Sequence, residues 1–306
     1  MSYNVRYFGH ALKGLASTRA SRERIAAGLA ALDPPADVVC LQEIETVSMR
    51  SSVALRRDGR GRTQLEAFMA DLEAAFAARG RPSPYEGFYF GANVTRVRGI
   101  AVASAGLAIL VNVRRLAVRG HNVAAPHPIT HHHVVRFKDR KQTRICAHVT
   151  LESPEGVRFH VFNTHLSLPT PFARGFWARS ERMGWGTNQL EEARTLASFV
   201  RRSAGDEPFV VGGDFNSAPG SPVYDYLTGE HGFASPAEAL GLCDPRRPKA
   251  FPTAGFFTLR MHLDHVFAGN GAAFLDLEGT RRFGVRGAPF HGLSDHVPLI
   301  GRFRLR

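Results

Sequence analysis

Pro208-Phe209-Val210-Val211-Gly212-Gly213-Asp214-Phe215-Asn216-Ser217 is the stretch whose reading decides the fold. Phe209, Val210 and Val211 form a short apolar, β-branched run of the kind that builds a buried strand, and two glycines then let the backbone turn tightly. Asp214 and Asn216 stand two apart, so extended geometry would point both side chains the same way, an acid and an amide facing one substrate atom. The same residues also suit a strand that ends in an Asx turn, where the acid bonds its own backbone. Which reading holds depends on what the chain carries at its other strand ends.

Working outward, Arg144–Val149 and Arg158–Phe162 read as strands on either side of Pro154-Glu155-Gly156, hence a hairpin. Asp37–Leu41 and Gly106–Val111 are apolar enough to be buried strands, and Tyr3–Phe8 alternates polar and apolar residues as an early core strand should. Leu263–Phe267, Ala273–Leu277 and Val297–Ile300 return to strand patterns near the end. Between them lie helices. Ile25, Leu29 and Leu32 share one face of a Ser17–Leu32 segment that Asp33-Pro34-Pro35 stops. Thr63 and Glu66 make a capping box ahead of Leu65, Phe68, Met69, Leu72 and Phe76. A third helix is capped near Asn188 and ends near Arg202, and Ser221-Pro222 starts a fourth. No repeat, linker or low-complexity tract interrupts this order, so residues 1–306 read as a single domain.

The composition, 44% apolar and 22% charged with 22 phenylalanines, is that of a soluble globular protein and excludes a disordered chain. A net charge of +12, carried mostly by arginine, favours an anionic partner, either nucleic acid or an anionic membrane surface, and gives no sign of a protein partner. Cys40, Cys146 and Cys243 are odd in number and have neither zinc-finger nor redox spacing; the first two sit in apolar runs and read as buried free thiols. The N-terminus lacks a secretory apolar stretch and no later segment is long enough to span a bilayer, so the expected location is cytoplasmic. Arg50–Arg62 is a basic, glycine-containing loop that suits either a solvated surface or substrate contact. His131-His132-His133 alternate faces if extended and are assigned to surface or loop. The Phe172–Trp185 insertion is apolar, aromatic and basic at once, compatible with capping the core, stacking on bases or entering a membrane interface.

Polar residues of one chemistry recur at the strand ends: Gln42-Glu43, Asn163-Thr164-His165, Asp214-Phe215-Asn216, Asp264, and Ser294-Asp295-His296 before the last strand. Together they supply what metal-assisted phosphoryl hydrolysis needs. In this order, from Ser2-Tyr3-Asn4-Val5 through Leu41-Gln42-Glu43, Asn163-Thr164-His165-Leu166, Gly213-Asp214-Phe215-Asn216 and Leu263-Asp264 to Ser294-Asp295-His296, the segments resemble the endonuclease/exonuclease/phosphatase superfamily. That superfamily includes pancreatic-type deoxyribonuclease, neutral sphingomyelinase, deadenylases and inositol polyphosphate 5-phosphatases. The resemblance covers nearly the whole chain and implies a four-layer α/β sandwich, two packed mixed β-sheets flanked by helices.

Carried over residue by residue, the resemblance implies metal ligation by Glu43, with Asn4 and Asp295 assisting, and a Mg2+ cofactor for which Mn2+ would substitute. His296 would take the proton of the attacking water or contact the phosphate, with Asp264 holding its ring. Asp214 and Asn216 would orient the nucleophile and stabilise the phosphorus centre, and His165 would donate to a nonbridging or leaving oxygen. Histidine at 165 is unlike the tyrosine-containing segment of abasic-site endonucleases, and the run Asp214–Tyr224 resembles the deadenylase branch most, although many bacterial-type hydrolases of the family share it. Two departures stand out: His262-Leu263-Asp264-His265 replaces the usual Arg-Ile-Asp-Tyr, which would alter substrate contacts, and Met1 precedes Asn4 by only three residues. The expected activity is a magnesium-dependent nuclease acting on DNA or RNA. The alternative is a sphingomyelinase-like phospholipid or an inositol-phosphate phosphoesterase.

Overall fold

The computed structural model of the chain describes residues 1–9, 18–45, 63–97, 100–130, 143–169, 183–242, 251–256, 259–278 and 290–306. In one sheet β1 (Ser2–Asn4) lies parallel to β2 (Val38–Ile44), which pairs antiparallel with β4 (Ile100–Asn112), and β4 with β3 (Tyr85–Val97). The other sheet runs in the order β12 (Asp264–Gly269), β9 (Phe209–Asp214), β8 (Arg158–His165), β7 (Ile145–Glu152), β5 (Ala117–His121). Only the β8–β9 pair in it is parallel, and the short β6 (His127–Pro128) also pairs with β7. Two hairpins complete the strands, β10 (Ala254–Phe256) with β11 (Leu259–Met261) and β13 (Ala273–Glu278) with β14 (Ile300–Arg304).

Period-two alternation sorts these strands into layers. On β2 and β4, Val39, Leu41, Ala108 and Leu110 face outward onto α1 (Arg19–Ala30) and α2 (Gln64–Ala77). Their neighbours Cys40, Leu107, Ile109 and Val111 face inward and meet Ala147, Val149, Phe159 and Val161 of the second sheet. The far side of that sheet presents Cys146, Phe162, Phe209, Val211 and Phe267 to α3 (Thr187–Ala204). Helices, sheet, sheet and helix therefore stack as the expected four-layer sandwich. Among the described residues no helix is long and apolar enough to cross a membrane.

The helices begin where their caps dictate. Thr18 accepts the Ser21 N–H at 3.2 Å to start α1, and Thr63 and Glu66 close the capping box of α2 at 3.2 and 2.7 Å. For α3 the cap lies two residues before the expected Asn188: Gln189 Oε1 accepts from the Gly186 N–H at 3.1 Å. Ser221 accepts from the Tyr224 N–H at 3.4 Å ahead of the short α4 (Pro222–Asp225), and α5 (Pro236–Ala239) starts the same way from Ser235.

Three strand expectations need correction. The early strand stops at Asn4, and Arg6, Tyr7 and Phe8 follow with φ of 46°, 54° and 54°, a left-handed turn instead of an extension to Phe8. Tyr85–Val97 is a strand that the sequence pattern conceals, because Gly87 and Gly91 interrupt an otherwise aromatic alternation. Val297–Leu299 is no regular strand. Pro298 cannot donate to a ladder, so only Leu299 exchanges hydrogen bonds with Ser2, at 2.8 and 2.9 Å, and β14 starts one residue later.

Candidate active site

The decisive stretch ends β9 at Asp214, and the register places Asp214 directly between His165, the last residue of β8, and Asp264, the first of β12. All three belong to the inward-facing set that includes Val161, Val210 and Val266, so they open onto the space between the sheets. Gly213 makes this close row feasible, since a Cβ there would lie 2.3 Å from the Thr164 carbonyl oxygen.

His296 closes the row. Its Nδ1 hydrogen-bonds Asp264 Oδ2 at 2.8 Å, which turns Nε2 towards Asp214 Oδ2, 3.8 Å away. His165 Nε2 is 3.5 Å from the same oxygen, so Asp214 sits between two imidazoles without a short bond to either. Thr253 Oγ1 accepts the N–H groups of Leu263 and Asp264, both at 2.9 Å, and pins the Asp264 backbone. Ser294 donates to the Asn4 carbonyl at 2.8 Å and accepts the His296 N–H at 3.2 Å, which fastens the last segment to the first strand.

The opposite sheet contributes Asn4 and Glu43. Asn4 Nδ2 donates to Asp214 Oδ2 at 3.0 Å and to Glu43 Oε1 at 3.2 Å, bridging the two sheets. Glu43 lies within β2 instead of beyond it, at a bulge with φ of 58° where the ladder with β4 slips between Gln42 and Ile44. Without that bulge strict alternation would send Glu43 outward and bring Ile44 in; the left-handed residue resets the phase and frees the carboxylate. Asp295 is brought to the rim, but its Oδ2 is bound by the Arg6 guanidinium. Arg6 was invisible as a site residue in the sequence, because an alternating reading of Tyr3–Phe8 gives it no special place.

Asn216 occupies the corner with φ of 48°, so the extended geometry that would align it with Asp214 is not kept. Its N–H bonds Asp214 Oδ1 at 3.0 Å, the Asx turn weighed above, and its Nδ2 donates to the Leu166 carbonyl at 2.9 Å. The segment is thus both a turn and a site corner, with Asn216 shaping the position of Asp214. His262 and His265, expected to change substrate contacts, are buried at 1% and 2% exposure. They stack on each other with centroids 4.6 Å apart, and His265 Nε2 bonds the Ser217 carbonyl at 2.7 Å, so both belong to the packing behind the site.

Two further features involve residues to which the sequence assigned no role. Gln42 Nε2 donates to Asn163 Oδ1 at 2.7 Å, and Asn163 Nδ2 donates to the Leu41 and Ala108 carbonyls at 2.9 and 3.0 Å, a polar stitch across the sandwich just below the site. Arg144, one residue before β7, faces the His165 end of β8; its charge lowers the pKa of both His165 and Glu43, and its buried Nε has no hydrogen-bond partner. The Arg50–Arg62 loop, His131-His132-His133, Cys243 and residues 170–182 of the insertion lie outside the described residues. Cys40 and Cys146 are free, buried thiols as expected, and burial pushes Cys40 up to about 11.

Burial dominates the electrostatics. It raises Glu43, against the lowering effect of Asn4, and together with the neighbouring Asp264 it pushes Asp214 up to about 7. Burial, then Arg144 and His296, hold His165 well below the usual imidazole value. Burial also acts to lower His296, but Asp264, Asp214 and Asp295 outweigh it and keep that ring well above the usual value. The two imidazoles are therefore shifted in opposite directions. Asp264 Oδ1 is buried without a partner, and ligand atoms of Asp214, Asp264 and His296 lie within 4.8 Å of one another. These buried carboxylates, with oxygen donors from Glu43 and Asn4 close by, fit a divalent cation, while Asp295 is engaged by Arg6.

Comparison with known proteins agrees with this geometry. The model of the Endonuclease/Exonuclease/phosphatase family matches residues 1–296. No curated protein matches significantly. Among solved structures, the human Nocturnin catalytic domain is 19% identical, covering 99% of this chain and 92% of that one at a TM-score of 0.59. ANGEL2, a 2',3'-cyclic phosphatase, is 19% identical over 99% and 94%, with a TM-score of 0.59. A mannosyl-6-phosphatase of Bacteroides thetaiotaomicron is 14% identical over 99% and 98%, also at 0.59. At these identities the likeness shows the fold.

Proposed function

This chain belongs to the endonuclease/exonuclease/phosphatase family, whose members hydrolyse phosphoric esters, and on that premise we propose that it is a magnesium-dependent phosphodiesterase acting on nucleic acid, DNA or RNA. The observation that carries the reading is the row His165–Asp214–Asp264, closed by His296 and faced by Asn4 and Glu43 from the other sheet. The net charge of +12 and the unpartnered Nε of Arg144 beside this row suit a polyanionic substrate.

Glu43 and Asn4, with Asp295 as a further ligand, would hold a magnesium or manganese ion, which when bound polarises the phosphoryl group and offsets charge on its oxygens. His296 is kept charged between Asp264 and Asp214, so its Nε2–H donates to a nonbridging phosphate oxygen. Of the two roles open to it from sequence, phosphate contact is the one its surroundings favour. Taking the proton of the attacking water then falls to Asp214, whose Oδ2 is held by Asn4 and whose Oδ1 is held by the Asn216 N–H. His165, neutral, donates its single N–H to the phosphate or the leaving oxygen. Asn216 fixes the corner that aims Asp214.

A second reading, a phospholipid or inositol-phosphate phosphoesterase, draws on Leu168 and Trp185, which are 49% and 62% exposed just past the His165 strand end and ahead of α3. A panel of plasmid, single-stranded RNA, poly(A), sphingomyelin and inositol phosphates, each with magnesium, manganese or EDTA, separates the two. Cleavage of a polynucleotide that EDTA abolishes is the expected result. Cleavage of lipid or inositol phosphate alone overturns the nucleic-acid assignment, and cleavage of nothing overturns the catalytic one.

A further inference from the structure

A cavity of 730 Å³ opens between the two sheets at the end opposite the carboxylates, within the range of about 300–1,000 Å³ typical of small-molecule clefts. Its walls are inward-facing positions of the second sheet and the β13–β14 hairpin: Phe159, Val161, Val210, Val266, Phe274 and Phe303. Its floor is Ser2, Cys40 and Gly212, where the sheets approach so closely that a Cβ on Gly212 would meet the Ser2 Cβ at 3.3 Å. Each floor residue stands two places before a residue of the site region: Ser2 before Asn4, Cys40 before Gln42, Gly212 before Asp214. The apolar cavity and the catalytic row are thus consecutive layers of the same strands.

Polar groups occur mainly at the rim. Arg115 Nη1 pairs with Asp37 Oδ1 at 3.2 Å, an ion-pair contact that leaves this oxygen without a hydrogen bond, Arg302 Nε donates to Asp276 Oδ2 at 2.6 Å, and the Met1 ammonium, also on the lining, donates to the Val38 carbonyl at 2.8 Å. Arg304, exposed on β14 and also lining the opening, pairs with no carboxylate among the described residues, while Asp33 and Glu155 belong to two other turns of the rim. An apolar interior, with one exposed guanidinium at its rim that pairs with no described carboxylate, suits an unbranched hydrocarbon chain with a single anionic head. We propose that this cavity binds a monoanionic amphiphile, its acyl chain between the sheets and its head group, carboxylate or phosphate, on Arg304. The site is separate from the catalytic row and does not depend on the reaction assigned to it.

Binding is read directly from the full chain, with a fluorescent polyene fatty acid as probe and tetradecanoate or monotetradecyl phosphate as competitor below micellar concentration. Saturable one-to-one binding, displaced by both competitors or by the one whose head group Arg304 prefers, is expected. Val210→Trp and, separately, Val266→Phe would fill the cavity and weaken the probe at least about tenfold, while Arg304→Ala would weaken anionic probes by about tenfold and leave the neutral tetradecyl alcohol unchanged. Circular dichroism of each variant separates loss of binding from loss of fold, and two cavity variants guard against one that misfolds. No saturable binding to the wild type, or undiminished binding to both folded cavity variants, overturns the proposal. An Arg304→Ala effect equal for acid and alcohol overturns the head-group assignment.

Discussion

The two ends of this sandwich are built from the same strands and held together in different ways. At the catalytic end the sheets are tied by buried polar side chains: Gln42 to Asn163, Asn163 to two carbonyls of the other sheet, Asn4 to Asp214. At the opposite end valine and phenylalanine side chains line a gap of 730 Å³. Hydrogen bonds are directional and apolar contacts are not, so the first end is held in a more specific geometry than the second. Burying so many polar groups raises the cost of any missing partner, and a site that must hold phosphorus, water and metal in line benefits from that rigidity.

Breaking the polar end should cost most where the charge is least replaceable. Glu43→Gln keeps the bulge and removes the charge, and kcat/KM should fall by about a thousandfold with loss of Mn2+ binding by titration calorimetry. Unchanged metal affinity would remove Glu43 from the ligand set. His296→Ala and His165→Ala should each lower kcat by at least about a hundredfold, the scale of a positioned acid or base; wild-type turnover in either would exclude that ring. Asn163→Ala tests the stitch without touching the row. It removes one acceptor of the Gln42 amide, which keeps Ser2 Oγ, and the donor to two carbonyls, so urea unfolding should show a loss of about 2–3 kcal/mol. A cavity-lining change such as Val266→Ala should cost less than that, and the reverse order would contradict the contrast between the ends.

A smaller effect sits on the outer face of the second sheet, where His148 Nε2 meets His160 Nδ1 at 2.8 Å and His160 Nε2 meets Glu207 at 2.6 Å. Burial, then His160, lower His148 to about 4. The folded pKa is below the unfolded value of about 6.5, so the unfolded chain binds more protons between these values. Stability from this residue is therefore full above about 6.5 and is lost as pH falls towards about 4, a change on the order of 2–3 kcal/mol. His148→Phe, which keeps the stacking on Phe162, should flatten this part of the pH–stability curve. An unaltered slope would assign it to other groups, His265 among them.

Much of this was legible from the chain alone. The Thr63–Glu66 capping box, the β7–β8 hairpin and the strand-end polar residues follow from local rules, and the site residues named from sequence do lie in one region. What escaped depends on backbone conformation. The left-handed Arg6–Phe8 turn delivers Arg6 to Asp295, and the bulge at Glu43 resets the strand phase; neither residue type announces a positive φ. The inward burial of His262 and His265 and the stitch through Asn163 are long-range outcomes, visible only once two sheets are stacked. The Gly-Gly-Asp corner carried two readings because both are true of it: Asn216 makes the turn that aims Asp214.

The most direct measurement compares wild type and Asp214→Asn on supercoiled plasmid and single-stranded RNA in magnesium, with circular dichroism to verify the fold. Asn keeps the size of the side chain and removes its capacity to take a proton. The account predicts cleavage by the wild type and a loss of about a thousandfold or more in a folded Asp214→Asn protein. Cleavage at the wild-type rate by that variant would contradict it.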